Sequence, residues 1–272
     1  MKLAYRDRAR YMGDSDYMPR PTPVRQLLSD AYLQKVKKMI DVSGNKSMQL
    51  DAIPEKDKFT RLKPESSETT HFTIADAEGN TISSTQTING WFGSGVFVEG
   101  AGFVMNNQMD DFSAKAGVSN NFGLVGGKEN SIAPQKRPLS SMSPTIFLKN
   151  KKPILALGTP SGSRIINCVA QVSLQYLYYQ KSLWDAQAAL RYHHQWLPDK
   201  IRIESPGFGA KPLARLQAMG YATENQGLGC KVQAIAFESE GIRGVSDPRG
   251  EGLAVGSDFI ESNLESKAAD NP

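Results

Sequence analysis

Cysteine and histidine are scarce: the 272 residues hold two of the first and three of the second. Cys168 and Cys230 stand far apart with no Cys-x-x-Cys spacing, so neither a metal site nor a disulfide framework is indicated. His71, His193 and His194 are the only imidazoles that could activate a hydroxyl, and no Gly-x-Ser-x-Gly elbow is present. His193-His194 beside Trp196 reads as structural, which leaves the usual serine-hydrolase route weak. Long apolar runs are missing too. Ile165 to Tyr179 is broken by Asn167, Gln171 and Gln175 and falls short of the roughly 20 apolar residues a membrane helix needs, so it predicts a core helix rather than a membrane span. The opening MKLAYRDRARYMGD has charges with no apolar stretch behind them; it is not a secretory signal and reads like the middle of a helix in a larger protein.

What is present describes a globular chain long enough to bury a core. Hydrophobic residues make up 39% and charged residues 22%, and 24 Gly with 15 Pro suit a mixed fold with many turns. The net charge of +4 comes partly from short lysine groups, Lys35, Lys37, Lys38 and Lys149, Lys151, Lys152, without interleaved aromatics. These read as a solvated face and a hairpin tip, and no nucleic-acid partner is expected.

Helical periodicity covers residues 1 to about 12 and 25 to 40, with a Pro-rich break between them. Residues 42 to 68 are polar and read as an exposed linker. At Thr69 the character changes: two alternating runs around Ala-Glu-Gly-Asn predict a hairpin, and a third strand is expected at Gly102 to Asn107. A second hairpin is expected from Pro144 to Leu157 around Asn150-Lys151-Lys152, then a Gly-containing turn opening a helix near Ser163. Further helices are expected at Leu183 to Tyr192 and Lys211 to Met219, with closing strands at Val232 to Phe237 and Gly241 to Val245. Sheets covered by helices make an α+β layered domain.

Chemistry needs an activated nucleophile. An N-terminal threonine can use its own α-amino group as base once the preceding bond is cut, and Glu68-Thr69, at the start of a strand after a linker, has that placement; an ordinary strand start has it too. Thr85, Thr87 and Asn89 alternate, so on one strand they share a face, either converging on a ligand or forming a polar outer surface. Asn106-Asn-Gln-Met-Asp-Asp111 is dense in amides and carboxylates and suits a substrate ammonium group or an Asx-capped turn. Ser140-Ser141 could hold a carboxylate or cap a loop, and Gly158-Thr-Pro-Ser-Gly162 could present N–H groups to an oxyanion.

Together these segments resemble the γ-glutamyltransferases of the N-terminal nucleophile hydrolase superfamily. The motifs are Thr69-Thr-His-Phe, Thr87-Ile-Asn89, Asn106-Asn-Gln-Met-Asp-Asp-Phe-Ser, Lys136-Arg-Pro-Leu-Ser-Ser-Met-Ser-Pro-Thr and Ser246-Asp-Pro-Arg249, in family order. The resemblance implies an αββα sandwich, incomplete in this chain. Residues 1–68 would be the end of the large subunit with its processing linker, and residues 69–272 the small, catalytic subunit, with the last sixteen or so unassigned. By matching motif, self-cleavage between Glu68 and Thr69 would free Thr69 as the nucleophile, and Thr87 would orient it. Asn89, Gln108 and Asp111 would hold the substrate α-amino group, Ser140 and Ser141 the α-carboxylate, and Ser161 with Gly162 the oxyanion. The implied substrates are glutathione or other γ-glutamyl compounds, with water or an amino acid or peptide as acceptor. The location implied is periplasmic or extracellular; no cofactor and no metal are called for.

Two positions depart from the family pattern. Ser161-Gly162 replaces the usual adjacent glycines, which leaves the N–H in place but asks a non-Gly residue for unusual backbone angles. Phe122 stands in the lid loop, Lys115 to Gly127, where many bacterial relatives carry tyrosine; it keeps a hydrophobic cover and loses a hydroxyl latch. The family's large subunit also supplies, before the region matched here, an arginine for the substrate carboxylate and covering layers. A chain of these 272 residues is therefore expected to expose apolar surface, to be inactive or unstable alone, and to be a fragment or work with a separately encoded partner. Alternatives are a related acylase of the same fold, of the cephalosporin-acylase type, and a truncated inactive fragment.

Overall fold

In the computed structural model, residues 1–40, 50, 69–115 and 117–256 are described. Glu68, the linker from 42 and the unassigned end therefore lie outside the described residues, apart from Leu50. Helix α1 (Lys2–Tyr11) leads, followed by α2 (Val24–Leu27) and α3 (Asp30–Met39). The expected second helix is split because Ser29 caps α3, its side chain accepting from the Tyr32 N–H at 3.3 Å.

The hairpin expected after Thr69 forms as β1 (Thr69–Ala75) and β2 (Thr81–Thr87), paired from Thr69 opposite Thr87 to Ala75 opposite Thr81. Its turn is closed by Asp76, whose carboxylate accepts from the Asn80 N–H at 2.8 Å. The strand expected at Gly102 to Asn107 shrinks to a two-residue ladder between β3 (Phe97–Val98) and β4 (Phe103–Val104); the polar residues beyond are spent on turns.

The second hairpin, β5 (Thr145–Lys149) and β6 (Lys152–Gly158), turns on two residues rather than three. Asn150 and Lys151 take φ of 52° and 63°, the left-handed pair that matches the twist of a tight hairpin. After it come α4 (Ile165–Ser173), α5 (Leu183–Ala188), β7 (Tyr192–His193), β8 (Lys200–Ile203), α6 (Ala210–Ala218), β9 (Ala222–Asn225), β10 (Gln233–Glu238) and β11 (Gly241–Ser246). The predicted core helix is α4, which continues into one π-helical stretch at Leu174–Tyr178. Tyr192, expected to end α5, instead opens a small mixed sheet of β7, β8 and β9 that the sequence pattern does not announce.

A four-stranded antiparallel sheet, ordered β11-β10-β6-β5, is the centre. Leu155 and Leu157 of β6 with Ala234 and Ala236 of β10 meet Ile165, Val169 and Val172 of α4 and Leu183 of α5 in one buried cluster. Each buried leucine, isoleucine or valine among them contributes roughly 1.5–3 kcal/mol. The other face of β6 carries Ala156 and Gly158, small enough for the β1–β2 hairpin to lie against it; a Cβ on Gly158 would come within 2.3 Å of the His71 ring. Hairpin, sheet and helices thus stack as three layers. On the hairpin's outward face Phe72, Ile74 and Ile82 are exposed, the apolar surface expected from the sequence.

The motif Ser246-Asp-Pro-Arg249 is a staple of this core. Buried Asp247 pairs with Arg191 and accepts from the Val232 N–H at 2.9 Å, while Arg249 reaches Glu204 and donates to the Gln187 carbonyl at 2.7 Å. Cys168 of α4 and Cys230 before β10 form a disulfide, correcting the expectation of no disulfide. Their spacing hid it, because two distant segments are joined only when β10 docks beside β6. Closing a sequence separation of 62 is worth about 4 kcal/mol in the chain-entropy account. Reduction is expected to lower the denaturation midpoint accordingly, measured by urea titration with and without reductant. A change under about 1 kcal/mol would show that the staple alone holds this region.

Candidate active site

The antiparallel register sets Thr69 opposite Thr87, and Thr69 Oγ1 donates to Thr87 Oγ1 at 2.8 Å. Thr87 Oγ1 also accepts from the Asn89 N–H at 2.8 Å. Asn89 lies past the end of β2 with φ of 78°, so it does not continue the alternation. It is buried, and its side-chain amide donates to the Asn107 carbonyl at 3.2 Å. Thr85 does not converge on Thr69: its hydroxyl meets His71 Nδ1 at 2.7 Å.

His71 also contacts Thr73 Oγ1 at 3.1 Å through Nε2, and burial pulls its pKa down to about 4. It is a neutral imidazole committed to neighbouring hydroxyls, which leaves the base for Thr69 to come from elsewhere. Burial likewise lowers His193 to about 3 and His194 to about 4. His193 contacts Asn167 and Gln195, and His194 contacts Asp199, so both serve the core.

Gln108 and Asp111 sit in a short 3-10 turn, Gln108–Asp111, which Asn106 and Asn107 prepare: Asn106 Oδ1 accepts the Gln108 N–H at 3.0 Å and Asn107 Oδ1 the Gly90 N–H at 2.7 Å. Burial pushes the Asp111 carboxyl up to about 7, with Arg8 opposing the shift and Asp110 adding to it. Ser140 and Ser141 lie on an extended loop held from α1: Arg8 Nη2 donates to Ser141 Oγ at 3.1 Å and to the Ser140 carbonyl at 3.3 Å. Amine-side and carboxylate-side candidates thus share Arg8 as a neighbour, which the sequence does not announce because an arginine in an amphipathic helix looks like a solvated residue.

The Gly158–Gly162 turn begins where β6 passes under His71. Ser161 accepts the angles asked of it, φ 123° and ψ 41°, and Gly162 follows with φ of 52°. Such angles cost a non-Gly residue of order 1–3 kcal/mol. Side-chain contacts offset this: buried Ser161 Oγ donates to the Leu228 carbonyl and accepts from Arg164 Nε at 2.9 Å. Phe122 is buried among Tyr5, Ala9, Leu124 and Trp196, with Gln195 Nε2 donating to its carbonyl at 3.2 Å. The side chain expected as a cover is thus packed against α1, whereas Ala116 of the same loop lies outside the described residues.

A family model described as gamma-glutamyltranspeptidase matches residues 1–257. The glutathione hydrolase proenzyme of Pseudomonas aeruginosa is 43% identical over 257 residues, 93% of this chain and 44% of that protein. The solved structure of a mutant Helicobacter pylori gamma-glutamyltranspeptidase aligns with a TM-score of 0.64 and 47% identity, covering 66% of this chain and 100% of that one. The cephalosporin acylase of Bacillus halodurans aligns at 0.71 with 25% identity over 93% of this chain and 43% of that one, a likeness of fold. The chain spans less than half the length of the curated P. aeruginosa relative, 44% of it. Its layers are those of an N-terminal nucleophile hydrolase, and with a family match running from residue 1 to 257 the chain belongs to the gamma-glutamyltranspeptidase family.

Proposed function

We propose that this chain is the catalytic part of a γ-glutamyl hydrolase/transferase acting on glutathione and related γ-glutamyl compounds after self-cleavage between Glu68 and Thr69. Residues 1–68 end the large subunit in this reading, and residues 69–272 form the small one. The observation that carries it is the Thr69–Thr87 hydroxyl pair at the start of β1, beside an imidazole, His71, already committed to Thr85 and Thr73. A hydroxyl so placed, with no imidazole on it, suits activation by its own freed α-amino group.

In the acylation step Thr69 Oγ1 attacks the γ-carbonyl carbon, and its proton passes through the α-amino group to the leaving nitrogen. The amide C–N bond breaks as the ester forms. Water or the amine of an amino acid or peptide then attacks the ester, and the proton returns to Thr69. Ser161 and Gly162 would meet the oxyanion, Asn89, Gln108 and Asp111 the α-ammonium, and Ser140 and Ser141 the α-carboxylate. The disulfide supports an oxidising compartment, the periplasm or the exterior.

The test is cleavage of γ-glutamyl p-nitroanilide by the protein expressed from its complete gene, with mass spectrometry locating the new N-terminus. Release of nitroaniline together with a chain starting at Thr69 is the expected result. Preference for a glutaryl over a γ-glutamyl anilide would move the assignment to the acylase alternative.

A further inference from the structure

Asp111 and Ser140-Ser141 are separated in sequence and lie on different loops, yet an α-amino acid head offers its ammonium and carboxylate at a fixed, short separation. Something must hold the two loops at that spacing. Buried Asn130 touches both: its Nδ2 donates to the Asp111 carbonyl at 2.8 Å and its Oδ1 accepts the Leu139 N–H at 2.9 Å. Arg8 repeats the bridge from the other side, donating to the Leu139 carbonyl at 3.3 Å, to Ser140 and Ser141, and facing the Asp111 charge. The next turn of chain pins the same loop again, with Asp14 taking the Arg137 backbone N–H and Nε, each at 2.9 Å. Arg8, Asn130 and Leu139 line one small cavity, with Asn120 adding a 3.4 Å contact to the Asp111 carbonyl.

Resting on the γ-glutamyl reading, we propose that Asn130 and Arg8 are positioning residues that fix the distance between the ammonium-binding and carboxylate-binding loops and so set selectivity for a complete α-amino acid head. Neither touches substrate in this account. Asn130 is the rigid spacer, because one planar amide serves both loops and its two bonds run in opposite senses, a donor to one and an acceptor to the other. Arg8 supplies the charge-assisted half of the clamp from α1.

A loosened spacer should penalise only ligands that must engage both loops at once, since a one-ended ligand can follow its own loop. In the protein expressed from its complete gene, Asn130→Ala is expected to raise KM for γ-glutamyl p-nitroanilide at least tenfold with kcat within threefold. Ki values for glutarate, which lacks the α-amine, and for 4-aminobutyrate, which lacks the α-carboxylate and keeps the γ one, should move less than threefold. Arg8→Lys, which keeps the charge, should recover most of the KM increase seen in Arg8→Met. Parallel increases for all three ligands, or an unchanged KM, would overturn the proposal. An independent arm needs no turnover: amide hydrogen exchange should quicken together in 108–113 and 139–142 of Asn130→Ala, and exchange confined to one loop also overturns it. If the unsubstituted protein cleaves no γ-glutamyl anilide, the activity reading fails while the exchange result still decides the clamp.

Discussion

Thr69→Ala is expected to leave the Glu68–Thr69 bond intact and to lower kcat/KM for a γ-glutamyl anilide at least 10⁴-fold, on the order of 5–6 kcal/mol of transition-state stabilisation. The reason is that, in the proposed mechanism, one oxygen performs two tasks. It would attack its own preceding peptide bond during maturation and the substrate carbonyl afterwards, and the hydroxyl it donates to among the described residues, Thr87 Oγ1 at 2.8 Å, lies on the neighbouring strand in a positioning rather than attacking place. Folding should be nearly indifferent. The substitution removes one hydrogen bond from a half-buried residue, worth about 1 kcal/mol, while the β1–β2 ladder is backbone and stays. Thr69→Ser, which keeps the oxygen, should mature slowly and retain activity within about two decades of the unsubstituted protein. Gel mobility, N-terminal mass and initial rates check all three. An alanine variant that still split and still turned over would remove Thr69 from the mechanism.

The contrast between what is readable and what is hidden follows interaction range. The β1–β2 and β5–β6 hairpins are written in short alternating runs around turn residues, so their register is set by neighbours and is visible in the chain. Helix α4 shows in its apolar spacing for the same reason. By contrast, β8 is short and pairs in parallel with β9 some twenty positions on, across α6, which no local pattern records. The Cys168–Cys230 bond, the pairing of Arg191 with Asp247 and the reach of Arg8 to Ser141 are likewise products of assembly. In the site, hydroxyl alternation on β2 was visible, but not that His71 would take Thr85 and leave Thr87 to Thr69. That division depends on the face-to-face pairing of two strands and on Gly158 letting the ring sit down against β6. For Gln108, Asp111, Ser140 and Ser141 residue type left a ligand role and a capping role equally open, and only resemblance chose between them, because loop residues carry chemistry without periodicity.

Asp111→Asn is expected to cost 10²–10³-fold in kcat/KM for a γ-glutamyl substrate while making the fold more stable at alkaline pH. Both effects come from one shift. Burial pushes the Asp111 carboxyl up to about 7, with Asp110 adding to the shift and Arg8 working against it. A raised acid pKa means that the folded chain holds the proton more tightly than the unfolded one. Its contribution to stability is present at low pH and is lost as pH rises from the ordinary carboxylate range through about 7. The amide cannot ionise, so the variant escapes that loss, and its stability should change less than the unsubstituted protein's between pH 4 and about 7 and exceed it above. Function runs the other way. Only the carboxylate attracts an α-ammonium strongly, and losing a half-buried charge partner of this kind costs about 3–4 kcal/mol at that scale. In the unsubstituted protein kcat/KM should rise with pH through about 7 as Asp111 ionises in the free enzyme. Bound ammonium favours the carboxylate, so the Asp111 limb in kcat should fall at lower pH than in kcat/KM. The variant should lose the limb near 7. The same limb surviving in Asp111→Asn, or a variant less stable than its parent at pH 8, would assign the titration to another group and leave the half-buried carboxylate as an element of structure rather than of recognition.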